Sequence, residues 1–172
     1  MTLSPEHNRP ALGAVLTDDG CTFALVAPRA ERVELALVRD DGTTIRNVDM
    51  TNDNGTWRAD VKGVVAGQRY GYRVHGEWNP DAGLRANPAK LLVDPYARAV
   101  TAGVDYTGPI FDHTAESYYE PDTRDSAQSV PLSVVVADSP APEPIARRLP
   151  LEQCVVYETH VKGFTIMHPS VP

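Results

Sequence analysis

Residues Gly67–Ala97 read GQRYGYRVHGEWNPDAGLRANPAKLLVDPYA. The first part alternates. Tyr70, Tyr72 and Val74 fall on one face of an extended chain and Arg69, Gly71 and Arg73 on the other, which is the period of a strand with one buried face. A turn at His75-Gly76 ends the run. Trp78 then opens a polar loop carrying Asn79, Asp81, Arg85, Asn87 and Lys90, stiffened by Pro80 and Pro88. An indole plate can stack on the apolar C–H face of a sugar while amides, carboxylates and cations bind its hydroxyls. The same composition suits a polar interface between domains, and both readings stay open. Asn87–Leu92, with Pro88 at its first position, predicts a short turn of helix.

The two-residue period recurs upstream. Phe23 and Leu25 face inward on Cys21–Ala27, and Val33, Leu35 and Leu37 alternate with Glu34, Ala36 and Val38. Trp57, Ala59 and Val61 alternate in the same way, which marks Trp57 as core; Tyr70 and Tyr72 read as core too. Ile45–Met50 is a weaker strand. Asp18-Asp19-Gly20, Asp40-Asp41-Gly42 and Asn52-Asp53-Asn54-Gly55 are turn signals. Turns about every 8–12 residues are the rhythm of a β-sandwich. The expectation is an all-β, immunoglobulin-like β-sandwich over residues 11–100, preceded by a tail at 1–10.

Residues 101–131 are rich in Thr, Asp, Gly, Pro and Tyr and lack a period. They predict a long ordered loop or a loop packed on something else, followed by a short strand at Leu132–Ala137. Pro140, Pro142, Pro144 and Pro150 predict a stiff linker, so 101–150 reads as an irregular region and Pro-rich linker. Cys154–Thr159 reads as a buried apolar strand. A lone strand cannot bury both faces, so 151–172 reads as the start of a second, truncated domain.

The chain has 172 residues, 42% hydrophobic and 23% charged, with a formal net charge of −7. That balance excludes a basic stripe for nucleic acid and suits a neutral ligand. No run approaches the roughly 18 apolar residues of a membrane span, so no membrane partner is expected. Cys21 and Cys154 make neither a disulfide framework nor a zinc site, and both read as buried small residues. With a polar N-terminus lacking a signal-like apolar stretch, these features predict a cytoplasmic protein.

Four segments occur in order: ALGAVLTDDGCTFALVAPRAERVELAL, RYGYRVHG, NPAKLLVDPYA and VYETHVKGFT. Together they resemble the N-terminal region of bacterial glycogen debranching enzymes of the isoamylase type, in the alpha-amylase superfamily (glycoside hydrolase family 13). The resemblance implies a sandwich like carbohydrate-binding module family 48, then the first strand of a (β/α)8 barrel. It implies a non-catalytic module whose parent hydrolyses α-1,6 branch links in glycogen or limit dextrin through a covalent glycosyl intermediate. The family's nucleophilic Asp, acid Glu and stabilising Asp lie on later barrel strands, and no position here matches them, so this chain is expected to be inactive alone. The implied partners are α-glucan and the missing catalytic barrel. Leu91, Leu92, Tyr96 and Val155 would face that barrel. The alternative is a stand-alone β-sandwich that binds glucan or another protein.

The wider family of glycogen- and starch-binding domains is also similar. Its strong binders use two Trp and a Lys. Trp78 follows the terminal strand as one of those Trp does, while Gly71 stands where the Lys is expected and Arg39-Asp40-Asp41-Gly42 where the second Trp is expected. The glucan-binding candidates are therefore Trp78, Asn79, Asp81, Asn87 and Lys90.

Catalytic and metal chemistry finds no foothold. Glycoside hydrolysis needs two carboxylates roughly 5–10 Å apart, but Asp18-Asp19 and Asp40-Asp41 are turn residues beside Gly. Glu120, Asp122 and Asp125 lie in the irregular region. Glu158 and His160 lack further ligands nearby for a metal. No cofactor motif is present.

Overall fold

The computed structural model describes residues 11–101, 103–138 and 149–170. The chain divides into two compact units, Met1–Asp138 and Ser139–Pro172.

The first unit is a sandwich of two four-stranded antiparallel sheets. One sheet joins β1 (Gly13–Leu16), β2 (Gly20–Val26), β6 (Thr56–Lys62) and β5 (Thr51–Asp53) in that spatial order. The other joins β10 (Ser133–Val134), β7 (Arg69–His75), β3 (Arg32–Val38) and β4 (Thr44–Asp49). β4 and β5 are nearly continuous, so one stretch of chain leaves the second sheet and enters the first at buried Met50. The β5–β6 hairpin turns at Asn54 (φ 50°) and Gly55 (φ 85°), the left-handed pair that the Asn-Gly signal predicts.

Strand alternation fills the space between the sheets. Cys21, Phe23 and Leu25 meet Trp57, Ala59 and Val61 from one side; Val33, Leu35, Leu37, Tyr70 and Tyr72 come from the other. Each large side chain removed from water contributes about 1.5–3 kcal/mol. The Tyr70 and Tyr72 hydroxyls both reach Asp94 Oδ2, at 2.7 and 3.3 Å, so their polar ends are satisfied inside the core. Burial pushes both phenols above their ordinary range, and the Asp94 carboxylate adds to this. Burial also pushes the Cys21 thiol up to about 11.

The outer face of the second sheet carries a separate small core of Ala36, Val38, Leu91, Ala127 and Leu132. Gly71 pairs with Ala36 across β7 and β3, and the two small residues let residues 91–92 lie directly on the sheet. Tyr72 and Leu92 exchange both backbone hydrogen bonds there.

Three expectations are corrected. The irregular stretch from 101 to 138 is no linker: it packs within the sandwich unit, and β10 pairs with β7 at Ser133–Tyr70 and Val134–Arg69. Asn87–Leu92 forms a single turn closed by Lys90 N–H to Asn87 O at 3.0 Å, not a helix. In the second unit, Cys154–Thr159 pairs with no strand among the described residues, and its side chains are exposed, Cys154 included. An apolar run builds a strand only where a ladder partner receives its N–H and C=O groups. That unit contains a 3₁₀ turn at Leu151–Gln153 and a short helix, α1 (Val161–Thr165), capped by His160 Nδ1 accepting from Gly163 N–H at 2.9 Å. The Pro-rich run at 139–148 lies outside the described residues.

Candidate functional site

After β7 the chain forms a two-stranded ribbon, β8 (Trp78–Asn79) and β9 (Leu84–Arg85), in which Trp78 pairs with Arg85. Neighbouring side chains across a ribbon stand on one face. The Arg85 guanidinium therefore lies 4.9 Å from the centroid of the Trp78 indole, and it lies 4.0 Å from that of Tyr118. Its Nε and Nη2 donate to the two carboxylate oxygens of Asp112 at 2.6 and 2.8 Å, the bidentate fork that fixes both groups in one plane. Arg85 holds the Asp112 carboxyl down to about 2, and His113, whose Nδ1 lies 2.8 Å from Oδ1, adds to the effect.

Four rings run along this loop. Phe111 and His113 are 5.9 Å apart, His113 and Tyr118 5.2 Å, and Tyr118 and Tyr119 5.7 Å. The last two stand at 87° to each other. Trp78 Nε1 donates to the Tyr119 carbonyl at 2.7 Å, which ties the ribbon to the loop. Phe111 and Tyr119 are each 62% exposed and Tyr118 54%.

The loop is held from below by residues that the sequence offered as sugar ligands. Asn87 Nδ2 donates to the carbonyls of Asp112 and Asp122, both at 2.8 Å. Lys90 Nζ donates to the carbonyls of Pro109 and Arg124, both at 2.9 Å, and pairs with Asp122 at 3.3 Å. Both side chains are buried, so neither is available to a ligand, and the expectation for Asn87 and Lys90 is corrected. A buried ammonium or amide keeps its place only with its donors satisfied, and here the satisfaction comes from loop carbonyls far along the chain. Asp122 is held well below the usual carboxylate range, first by Arg124 and then by Lys90. Arg73 completes the anchoring with two bonds to Asp125 at 2.9 and 2.8 Å.

The remaining candidates stay at the surface. Trp78 is half-buried. Asn79 is exposed and caps the 3₁₀ turn Pro80–Ala82, accepting from Ala82 N–H at 3.4 Å. Asp81 is exposed within that turn. Of the residues expected to face another domain, Leu92, Tyr96 and Val155 are exposed. Leu91 is buried in the small outer core, and its expectation is corrected: this chain already supplies its cover. A groove of about 900 Å³, lined in part by Ala30, Val74, Leu84, Ala86 and Leu92, shares Arg85 and Asp112 with the ring cluster.

Sequence reasoning missed Phe111, Tyr118 and Tyr119. The available signal was an adjacent Tyr pair and a Phe in a stretch with no apolar period to bury them. Among the described residues, no group of three or more His, Cys, Asp or Glu could hold a metal ion, and no helix is long and apolar enough to cross a membrane.

Comparison with known proteins places this architecture. A glycogen debranching enzyme of Erwinia tasmaniensis is 44% identical over 162 residues, covering 93% of this chain and 24% of that enzyme. One of Salmonella typhi is 43% identical over 164 residues, with the same coverage. The chain thus spans about a quarter of the length of the curated relatives it matches. Among solved structures, the maltotriose complex of PulA from Klebsiella pneumoniae superposes with a TM-score of 0.50 at 25% identity, over 74% of this chain and 11% of that one. The model of carbohydrate-binding module 48, the isoamylase N-terminal domain, matches residues 11–97. With the sandwich in place and that match covering half of its length, the chain belongs to the carbohydrate-binding module 48 family.

Proposed function

We infer that this chain is the N-terminal, non-catalytic module of a glycogen debranching enzyme, the full-length form of which hydrolyses α-1,6 branch links in glycogen or limit dextrin in the cytoplasm. The observation that carries the reading is identity of 44% over 93% of the chain to an enzyme of that name. In this role the module braces the catalytic barrel through exposed Leu92 and Tyr96, while exposed Val155, in the second unit, belongs to the start of that barrel. It also offers α-glucan a weak site around Trp78, Asn79 and Asp81.

Weak binding fits the geometry at Gly71. The sheet face where strong relatives of the wider family carry a Lys is covered here by Leu91 and Leu92, which leaves no room for one. The test is enzymatic. Protein from the same gene that includes a catalytic region should release linear maltooligosaccharides from limit dextrin, and the 172-residue chain alone should release none. A longer protein that leaves limit dextrin intact overturns the reading.

A further inference from the structure

We propose that Tyr118 and Tyr119, with Phe111 beside them, form a stacking site for α-1,4-glucan chains, separate from the sheet face at Gly71. The proposal rests on the glucan-binding part of the reading above and gives it a location.

The first argument is exposure against rigidity. Exposed aromatic rings in a soluble domain are ordinarily scattered, and a group of them marks a contact site. These rings are not on a free loop. Arg85 lies over Tyr118, Asp112 fixes Arg85, and Trp78 Nε1 holds the Tyr119 backbone. Asn87, Lys90 and Arg73 anchor the same loop from beneath. A ligand meeting this surface finds most of the ordering cost already met. Such scaffolding is out of proportion for rings with no partner.

The second argument is shape. In an α-1,4-linked chain each linkage turns the next sugar, so successive rings curve and their C–H faces do not share a plane. A flat β-1,4-linked chain instead wants coplanar rings. Tyr118 and Tyr119 stand at 87° with centroids 5.7 Å apart, which offers facets in two planes and suits the curved chain.

The third argument is polarity. Neither phenol makes a hydrogen bond among the described residues, so both hydroxyls are available to sugar hydroxyls. Exposed Asn79 lies next to Trp78, which is bonded to Tyr119. The ligand is neutral, so the net charge of −7 does not oppose it.

The experiment compares the 172-residue chain with the double variant Tyr118→Ala/Tyr119→Ala and with Tyr106→Ala, which removes an exposed ring outside the cluster. Each migrates through native gels containing glycogen, and each is titrated with maltoheptaose and with cellohexaose by NMR. Unchanged urea midpoints certify that the variants fold. The expected result is retardation of the wild type and of Tyr106→Ala, and at least a fivefold loss of maltoheptaose affinity in the double variant. Cellohexaose should give no shifts. Equal retardation of the double variant overturns the site while leaving glucan binding by the module intact. Cellohexaose binding as tight as maltoheptaose binding overturns the shape argument and the proposal with it. A wild type that ignores both sugars overturns the site and the glucan-binding role together; the debranching assignment is judged separately by limit-dextrin hydrolysis with the longer protein.

Discussion

A Cβ placed on Gly71 would lie 2.8 Å from Leu91 Cγ and 2.9 Å from the Leu92 carbonyl oxygen. The contact is with backbone as well as side chain, so the segment cannot simply swing aside. Gly71→Ala should lower stability by about 1–3 kcal/mol, the usual cost of overpacking, and Gly71→Lys by more. Leu91→Ala should cost about 2–5 kcal/mol through the cavity it leaves. Urea denaturation checks all three. Gly71→Lys should also fail to create glucan binding, because the strand face beneath residue 71 is already occupied by the chain itself.

Asp94 serves two phenols, and its other oxygen accepts from the Tyr96 N–H at 2.8 Å. Asp94→Ala leaves the two phenols buried and unpaired, at about 1–3 kcal/mol each. The expected loss is at least about 2 kcal/mol, read as a lower urea midpoint. Tyr70→Phe should be milder, since the carboxylate keeps Tyr72.

Alkaline behaviour follows from the same pair. The folded-state pKa values of Tyr70 and Tyr72 are raised. Their contribution to stability is full below the unfolded phenol value near about 10 and falls as pH rises beyond it. The ultraviolet phenolate signal of these two residues should therefore appear together with loss of the folded circular dichroism spectrum, not before it.

The thiols should separate in kinetics. Cys154 is exposed and Cys21 buried, the latter with its pKa up at about 11. Thiolate is the reactive form. Ellman's reagent should titrate one thiol at once and the second only with unfolding; two fast thiols would contradict the packing described.

Acid should loosen the ring-bearing loop. The folded-state pKa of Asp112 is lowered to about 2, chiefly by Arg85. Its stabilising effect is present above the unfolded carboxylate value near about 4 and is lost as pH falls toward 2. Arg85→Gln removes the partner, so Asp112 should titrate closer to its ordinary value. Amide exchange across residues 111–119 should then quicken already near neutral pH, while exchange in β2 and β6 stays slow.

The sandwich core was legible because alternation is a local property. Val33, Leu35, Leu37, Tyr70 and Tyr72 declare their face by spacing alone, and the Asp-Gly and Asn-Gly turns mark the strand ends. The outer core was not legible. That Leu91 lies on Gly71 and Ala36 depends on a loop returning from residues 127–132, which no window of sequence contains. Asn87 and Lys90 misled for the same reason: a polar side chain in a loop reads as a ligand until the distant carbonyls that it binds are known. Cys154–Thr159 has the composition of a strand, but composition supplies no neighbour. Of the ring cluster only Trp78 was visible; Phe111, Tyr118 and Tyr119 lie in a stretch with no period, and their order comes from the long-range fork between Arg85 and Asp112.

β10 reaches its place beside β7 nearly sixty residues after β7 is made. Such pairing must wait for the whole intervening loop. On a ribosome, where the N-terminal part of a chain emerges first, the two-sheet core has all its strands but one long before Ser133 and Val134 appear. Leu91 and Leu92 can reach β7 early, but the rest of the outer face of that sheet, Ala36 included, stays open until Ala127 and Leu132 arrive to complete the small outer core. The module thus matures in two stages, and its second stage is set by the arrival of the 101–138 segment, a window in which a chaperone or another nascent chain meets a surface that the finished protein never shows.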